Sequence, residues 1–155
     1  QGATAVQGAY LHIFNSWVHH NGQAGIAGFD PSSEVRVVNS DLKSNLHGVA
    51  AEECATAFLS RCRLVDNVEA GVFCHNTGSS VSVDTCQVEG NLLGVAVRDN
   101  GHIMVTKSLL KGNKMHESYN ENGGGRIDGV SKGGPVTEAL DMEGWQQSME
   151  KKDRR

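Results

Sequence analysis

Four residues at 23-residue intervals, Asp30, Glu53, Asn76 and Asp99, form the column of this chain best suited to hold a cation. Calcium takes about six to eight oxygen ligands, and carboxylates and amides supply them. Asp30, Glu53 and Asp99 carry the charge, so these three are the candidate calcium ligands. Like charges stacked in a row repel unless a cation or hydrogen bonds compensate them. Asp and Asn also favour turns, and a column of turn residues with no ligand is the simpler reading.

Other reactive types are present without a pattern. The histidines, His12, His19, His20, His47, His75, His102 and His116, show no metal-ligand spacing. His19 and His20, and likewise Glu52 and Glu53, would face apart if they lie on strands. Cys62 and Cys86 share one column, and their Cα atoms could come within disulfide reach. Serine fills the same column elsewhere, which favours two small buried thiols. No Gly-x-Ser-x-Gly, Walker or dinucleotide fingerprint occurs.

These columns belong to a repeat that covers most of the chain. Gly25, Gly48, Gly71 and Gly94 recur every 23 residues, each followed by an aliphatic residue: Ile26, Val49, Val72 and Val95. Counting back from Gly25 reaches Gly2, so the chain opens in mid-coil. A parallel set runs Ile13, Val37, Leu59, Val83, Val105, then Ser16, Ser40, Cys62, Cys86, Ser108. Next come Val18, Leu42, Leu64, Val88, Leu110, and finally Asn21, Asn45, Asn67, Asn91, Asn113. This set steps by 24, 22, 24 and 22, which hints at a unit of two coils. Ankyrin and tetratricopeptide repeats are longer and helical, and a leucine-rich core is absent.

A repeat of this length predicts short strands that bury one face and must stack to do so. Adjacent coils then lie about 4.8 Å apart as parallel β. Glycine serves a bend with positive φ or a close approach. Asparagine tolerates a left-handed turn, and in register it forms a hydrogen-bonded ladder.

The segments Val81 to Asn91 (VSVDTCQVEGN, followed by Gly94-Val95-Ala96-Val97) and Ala57 to Asn67 (AFLSRCRLVDN, followed by Ala70-Gly71-Val72) resemble the repeat of right-handed parallel β-helix proteins. These form the pectin-lyase-like superfamily, with repeats shared by carbohydrate-binding proteins and sugar hydrolases. The resemblance covers roughly residues 2 to 115 and implies the handedness and the fold. It does not select an activity. The polygalacturonase-like motifs it would bring, Asn-Thr-Asp, Asp-Asp, Gly-His-Gly and Arg-Ile-Lys, are missing. For pectate-lyase-like members it implies a carboxylate cluster for calcium and a basic residue. The Asp30/Glu53/Asp99 side is arguable as the cluster, and the base is not identifiable.

The expected architecture is therefore all-β: a single-stranded right-handed parallel β-helix of about five coils of 22 to 24 residues, over 1–115. A Gly/Asn-rich linker is expected over 116–134, since Glu117 stands where the next glycine is due. A capping helix or tail is expected over 135–155, with Trp145 as its anchor. The net charge of -4 and the lack of a basic stripe argue against nucleic acid. No apolar run is long enough for a transmembrane helix. The start at Gln1 suggests a processed product or a piece of a longer protein. Cysteine spacing and the missing Asn-x-Ser/Thr site lean toward an intracellular setting. An exposed first coil would favour self-association.

Functionally, the expectation is a non-catalytic binding or scaffold module that recognises a protein or glycan through flat faces. Asp30, Glu53, Asn76, Asp99 and Trp145 are the candidate contacts. No cofactor is expected, with calcium at the acidic column as the alternative to a row of turn residues. The alternative is a lyase or epimerase on polyuronate, or a fragment of one.

Overall fold

In the computed structural model, which describes residues 1–130, every strand pairs in parallel with the strand one coil away. The first sheet stacks β1 (Ala3–Ala5), β4 (Ile26–Gly28), β7 (His47–Ala51), β10 (Ala70–His75), β13 (Leu93–Arg98) and β16 (His116–Asn120). The second stacks β2 (Tyr10–Phe14), β5 (Glu34–Val38), β8 (Thr56–Ser60), β11 (Ser80–Asp84), β14 (His102–Thr106) and β17 (Arg126–Asp128). The third holds β3 (Trp17–His19), β6 (Asp41–Lys43), β9 (Arg63–Val65), β12 (Gln87–Glu89) and β15 (Leu109–Lys111). The result is a parallel β-solenoid of about five coils, as the repeat predicts.

The columns become stacks. Val72 pairs with Val49 and Val95, and Val83 with Leu59 and Val105. Alternation points these residues inward, where Ile26, Val49, Val72, Val95, Val37, Val83, Leu64 and Val88 are fully buried. The Ser/Cys column turns the bend between the second and third sheets. Ser40, Cys62, Cys86 and Ser108 are all completely buried there. The Cys62 backbone N–H donates to the Cys86 sulfur at 3.4 Å, and the Cys86 N–H donates to the Ser108 hydroxyl at 2.9 Å. The two cysteines are not joined, so hydroxyl and thiol play one role: a small acceptor for the preceding coil's amide.

The asparagine column forms the expected ladder. Asn67 Oδ1 accepts the Asn45 backbone N–H at 3.0 Å, and Asn91 Oδ1 accepts that of Asn67 at 2.8 Å. Each Nδ2 reaches back to a carbonyl of the preceding coil: Asn67 to Leu42, Asn91 to Leu64, Asn113 to Val88. The glycine column is explained by this ladder and not by positive φ. A Cβ on Gly48 would lie 2.6 Å from the Gly71 carbonyl oxygen and 3.2 Å from Asn67 Nδ2.

The steps of 24 and 22 also gain a cause. The turn after the first sheet holds one residue more at Asp30–Ser33 and Asn76–Ser79 than at Glu53–Ala55 and Asp99–Gly101. The bend after the asparagine removes that residue again, four positions from Asn21 to Gly25 but three from Asn45 to Gly48.

One expected boundary is wrong. The segment 116–134, expected as a linker, carries two more strands and a short 3-10 turn, Glu121–Gly123. β16 pairs with β13, and β17 with β14. Glu117 does not stop the stack: β16 pairs with β13 and is the edge strand of its sheet among the described residues, so no described coil meets a side chain there. The expected cap over 135–155, with Trp145, lies outside the described residues.

Candidate functional site

The acidic column sits where the chain leaves the first sheet. Gln7, Asp30, Glu53, Asn76, Asp99 and Asn122 all have positive φ, between 48 and 75°. Asx and small polar residues tolerate this left-handed conformation better than β-branched ones, so the turn demand selects the column. Its side chains serve local bonds: Asp30 accepts the Gln7 backbone N–H at 3.0 Å, and Asp99 accepts from Asn122 Nδ2 at 3.2 Å. Among the described residues, no three His, Cys, Asp or Glu side chains converge as a metal-ligand set. The row keeps its spacing, and two of its members bond to the neighbouring coil.

What the column contributes instead is one end of a cross-coil cluster. His75 ends β10 and lies between two carboxylates: Nε2 is 2.9 Å from Asp99, and Nδ1 is 3.4 Å from Glu52. Beside it, Phe73 is stacked against His47, with centroids 4.7 Å apart and planes 8° apart. The Arg98 guanidinium covers Phe73 at 5.6 Å and binds Glu121 at 2.5 Å. Phe73, with Ala27, Ala50 and Ala96, forms an outward row on the first sheet that is nevertheless buried. Long neighbours close over small ones. The row Phe29, Glu52, His75, Arg98, Glu121 was not singled out from sequence. Its 23-residue spacing was visible, but its residue types change from coil to coil.

The hydrogen bond from His75, and secondarily that from Asn122, holds the Asp99 carboxyl below its ordinary value of 3.8. His102, followed by Arg126, does the same for Asp128. Burial holds His47 below 6.5 against the pull of Glu69 and Glu52. Burial also pushes the Cys74 thiol up to about 11. All three depressed groups act in one direction. Their stabilisation is fully present above the unfolded-state values and is lost on acidification, first from His47 below 6.5 and then from Asp99 and Asp128 below 3.8. Stability is expected to fall in those two stages, and also above pH 9 as the unfolded Cys74 ionises. Urea midpoints measured across pH would check this. A midpoint that stays constant from pH 7 to 5 would contradict the His47 stage.

Two concavities flank these residues. On the first sheet, a cavity of about 280 Å³ is bounded by Gln1, Gln23, Ala24, Phe29, Leu46, His47 and Glu52. On the second sheet, a shallower one of about 200 Å³ runs between Thr56, Phe58, Ser80, Ser82, His102 and Met104. The outward rows of that sheet expose Tyr10, Phe14, Phe58 and Met104, and Trp17 follows at the edge of the third sheet.

His19 and His20 depart from the expectation that they face apart. His20 follows the end of β3 with φ 56°, and the two Nδ1 atoms lie 2.8 Å from each other. The left-handed bend breaks the alternation on which that expectation rested.

The model of the right-handed β-helix region family matches residues 1–133. No curated protein and no solved structure matches the chain. The matched span includes the two strands beyond residue 115.

Proposed function

Because the chain belongs to the right-handed β-helix family, its coils form a rigid scaffold with flat faces, and we infer that it is a non-catalytic module that binds a protein through its second sheet. The observation that carries this reading is where exposed apolar area collects. Tyr10, Phe14, Phe58 and Met104 all lie on that one sheet, whereas Val6, Val68 and Met115 lie between strands and Tyr119 is on the first sheet. Aromatic and methionine side chains are enriched in protein contacts, and these stand on one outward face, with Glu34 and Arg36 between Tyr10 or Phe14 and Phe58, and Ser82 between Phe58 and Met104. Arg36 lies over the Phe58 ring at 5.1 Å, which blocks one stacking face for a sugar but leaves the edge for an apolar partner.

One observation favours a second reading, a lyase or epimerase on polyuronate. His75 between Glu52 and Asp99 has the residue types of an acid–base site. Both its nitrogens already face carboxylates, and Arg98 is engaged by Glu121, so the set lacks an unengaged base and an unengaged cation for substrate.

Affinity capture by the wild-type chain, by Phe58→Asp/Met104→Asp and by His75→Gln discriminates these readings. Both apolar side chains are solvent-exposed, so the double variant should fold. Partners enriched by wild type and by His75→Gln, but lost from the double variant, are expected. Equal recovery by the double variant would sink the assignment of the second sheet. Release of unsaturated uronate by the wild type, abolished in His75→Gln, would replace binding with catalysis.

A further inference from the structure

Asn122 opens the run Asn122-Gly123-Gly124-Gly125, and Asn21 and Asn100 are the other asparagines followed directly by glycine. In such a pair the glycine nitrogen can attack the side-chain carbonyl carbon, because no Cβ on the following residue stands in the way. The fold treats the three pairs differently. Asn21 is held in the ladder. Its Nδ2 donates to Asn45 Oδ1 at 2.9 Å and to the His19 carbonyl at 3.3 Å, and its backbone N–H donates to Asn45 Oδ1 at 3.1 Å. Asn100 precedes a buried glycine whose N–H donates to the Arg98 carbonyl at 3.1 Å. A Cβ on that Gly101 would lie 2.5 Å from the Cys74 carbonyl oxygen, so the backbone there is closely packed.

Asn122 is held least. It is exposed, with φ 64° and ψ 1°, inside the single 3-10 turn Glu121–Gly123, which contains no buried residue. Gly123 follows at φ 68°, and nothing lies within 4 Å of its Cβ position. A turn this short with no buried side chain opens at little cost, and the glycines give the backbone freedom to bring its nitrogen to Asn122 Cγ. The Asn122 side chain also has a defined neighbour. Its Nδ2 donates to Asp99 Oδ1 at 3.2 Å, and the other Asp99 oxygen lies 2.9 Å from His75 Nε2. The exposed amide is thus the last link of the cross-coil cluster.

We propose that Asn122 is a site of spontaneous deamidation, and that the carboxylate it becomes sets two like charges against each other beside His75. The Gly123 nitrogen gives its proton to a solvent base and bonds to Asn122 Cγ. The bond from Cγ to Nδ2 breaks, and ammonia leaves. Water then opens the cyclic succinimide at either carbonyl. One opening gives aspartate, and the other gives isoaspartate, with the chain running through the side-chain carbon. The net change consumes water and releases ammonia, with no oxidant, reductant or cofactor. The product carries an acceptor where a donor stood, facing Asp99 Oδ1. Two carboxylates so placed repel, which removes this tie between the turn and the cluster.

Incubation of the whole chain in mildly alkaline buffer, with peptide mass mapping over time, tests this. Base frees the attacking nitrogen, so the rate should rise with pH. Asn122 should convert about tenfold or more faster than Asn100, whose glycine must first be released by local unfolding. Asn21 should also lag behind Asn122, and isoaspartate should accumulate at position 122 beside aspartate. In Asn122→Asp, the Asp99 carboxyl carbon followed by NMR should titrate at higher pH than in the wild type, since Asp99 loses a donor and gains a like-charged neighbour. Earlier conversion at Asn21 or Asn100 would overturn the site. So would an intact Asn122 under conditions that convert a synthetic peptide of residues 121–126. An unchanged Asp99 titration in Asn122→Asp would overturn the consequence for the cluster. Phe58 and Met104 take no part, so neither failure bears on the second-sheet reading.

Discussion

Asn67→Ala is expected to destabilise the chain by about 3–5 kcal/mol, measured as a loss in urea-unfolding free energy. The side chain is buried and works in both directions along the rod. Its Oδ1 accepts from the Asn45 backbone N–H at 3.0 Å and from Asn45 Nδ2 at 3.3 Å. Its Nδ2 donates to the Leu42 carbonyl at 3.2 Å and to Asn91 Oδ1 at 2.9 Å. Truncation therefore leaves the buried Asn45 backbone N–H without a partner, at about 1–3 kcal/mol, and removes three further buried hydrogen bonds, at about 0.5–1.5 kcal/mol each. Asn67→Asp tests the cause. A carboxylate retains the acceptor side, loses both donors and faces Asn91 Oδ1, so it should also be strongly destabilising. A loss below 1 kcal/mol for alanine would show that water fills the ladder.

Gly48→Ala should cost about 3 kcal/mol, at the upper end of what overpacking a well-packed interior produces. The added methyl would meet the Gly71 carbonyl oxygen at 2.6 Å and Leu64 Cδ2 at 2.9 Å. The leucine end can rotate, but the carbonyl is fixed by the stacked sheets on both sides. Gly22→Ala is the matched control. Nothing lies within 4 Å of its Cβ position, so its effect should stay within about 0.5 kcal/mol. Equal denaturation midpoints for the two alanine variants would refute the idea that close approach, and not chain flexibility, keeps glycine in the column.

Both predictions concern features legible before any coordinates. The Asn and Gly columns share a period because they share a contact: the ladder amide of one coil passes where a Cβ of the neighbouring coil would be. The inward rows were legible for a similar reason. Val35 and Val37, Ala57 and Leu59, Val81 and Val83, and Ile103 and Val105 stand two residues apart, and the two-residue step fixes which way a strand side chain points.

The outward chemistry was only partly legible. Asp30, Glu53, Asn76 and Asp99 were found as a column, yet their spacing could not say that all four occupy left-handed turns. Their neighbours one position earlier, Glu52, His75 and Arg98, hold the cluster, and these vary in type because nothing repeats on a solvent face. Glu117 was misread for a related reason. A missing glycine ends a stack only if another coil must pack beyond it, and among the described residues β16 is the edge strand.

The sequence by itself determined the coil length, the register of the stack and the buried columns, because each coil must repeat the contacts of the last. Tertiary structure alone decided which outward side chains meet. His75 reaches Glu52 and Asp99 across 23 and 24 residues, and Phe73 is enclosed between His47 and Arg98. Those meetings depend on rotamers and on the sign of φ at each turn, and neither is written in a 23-residue period.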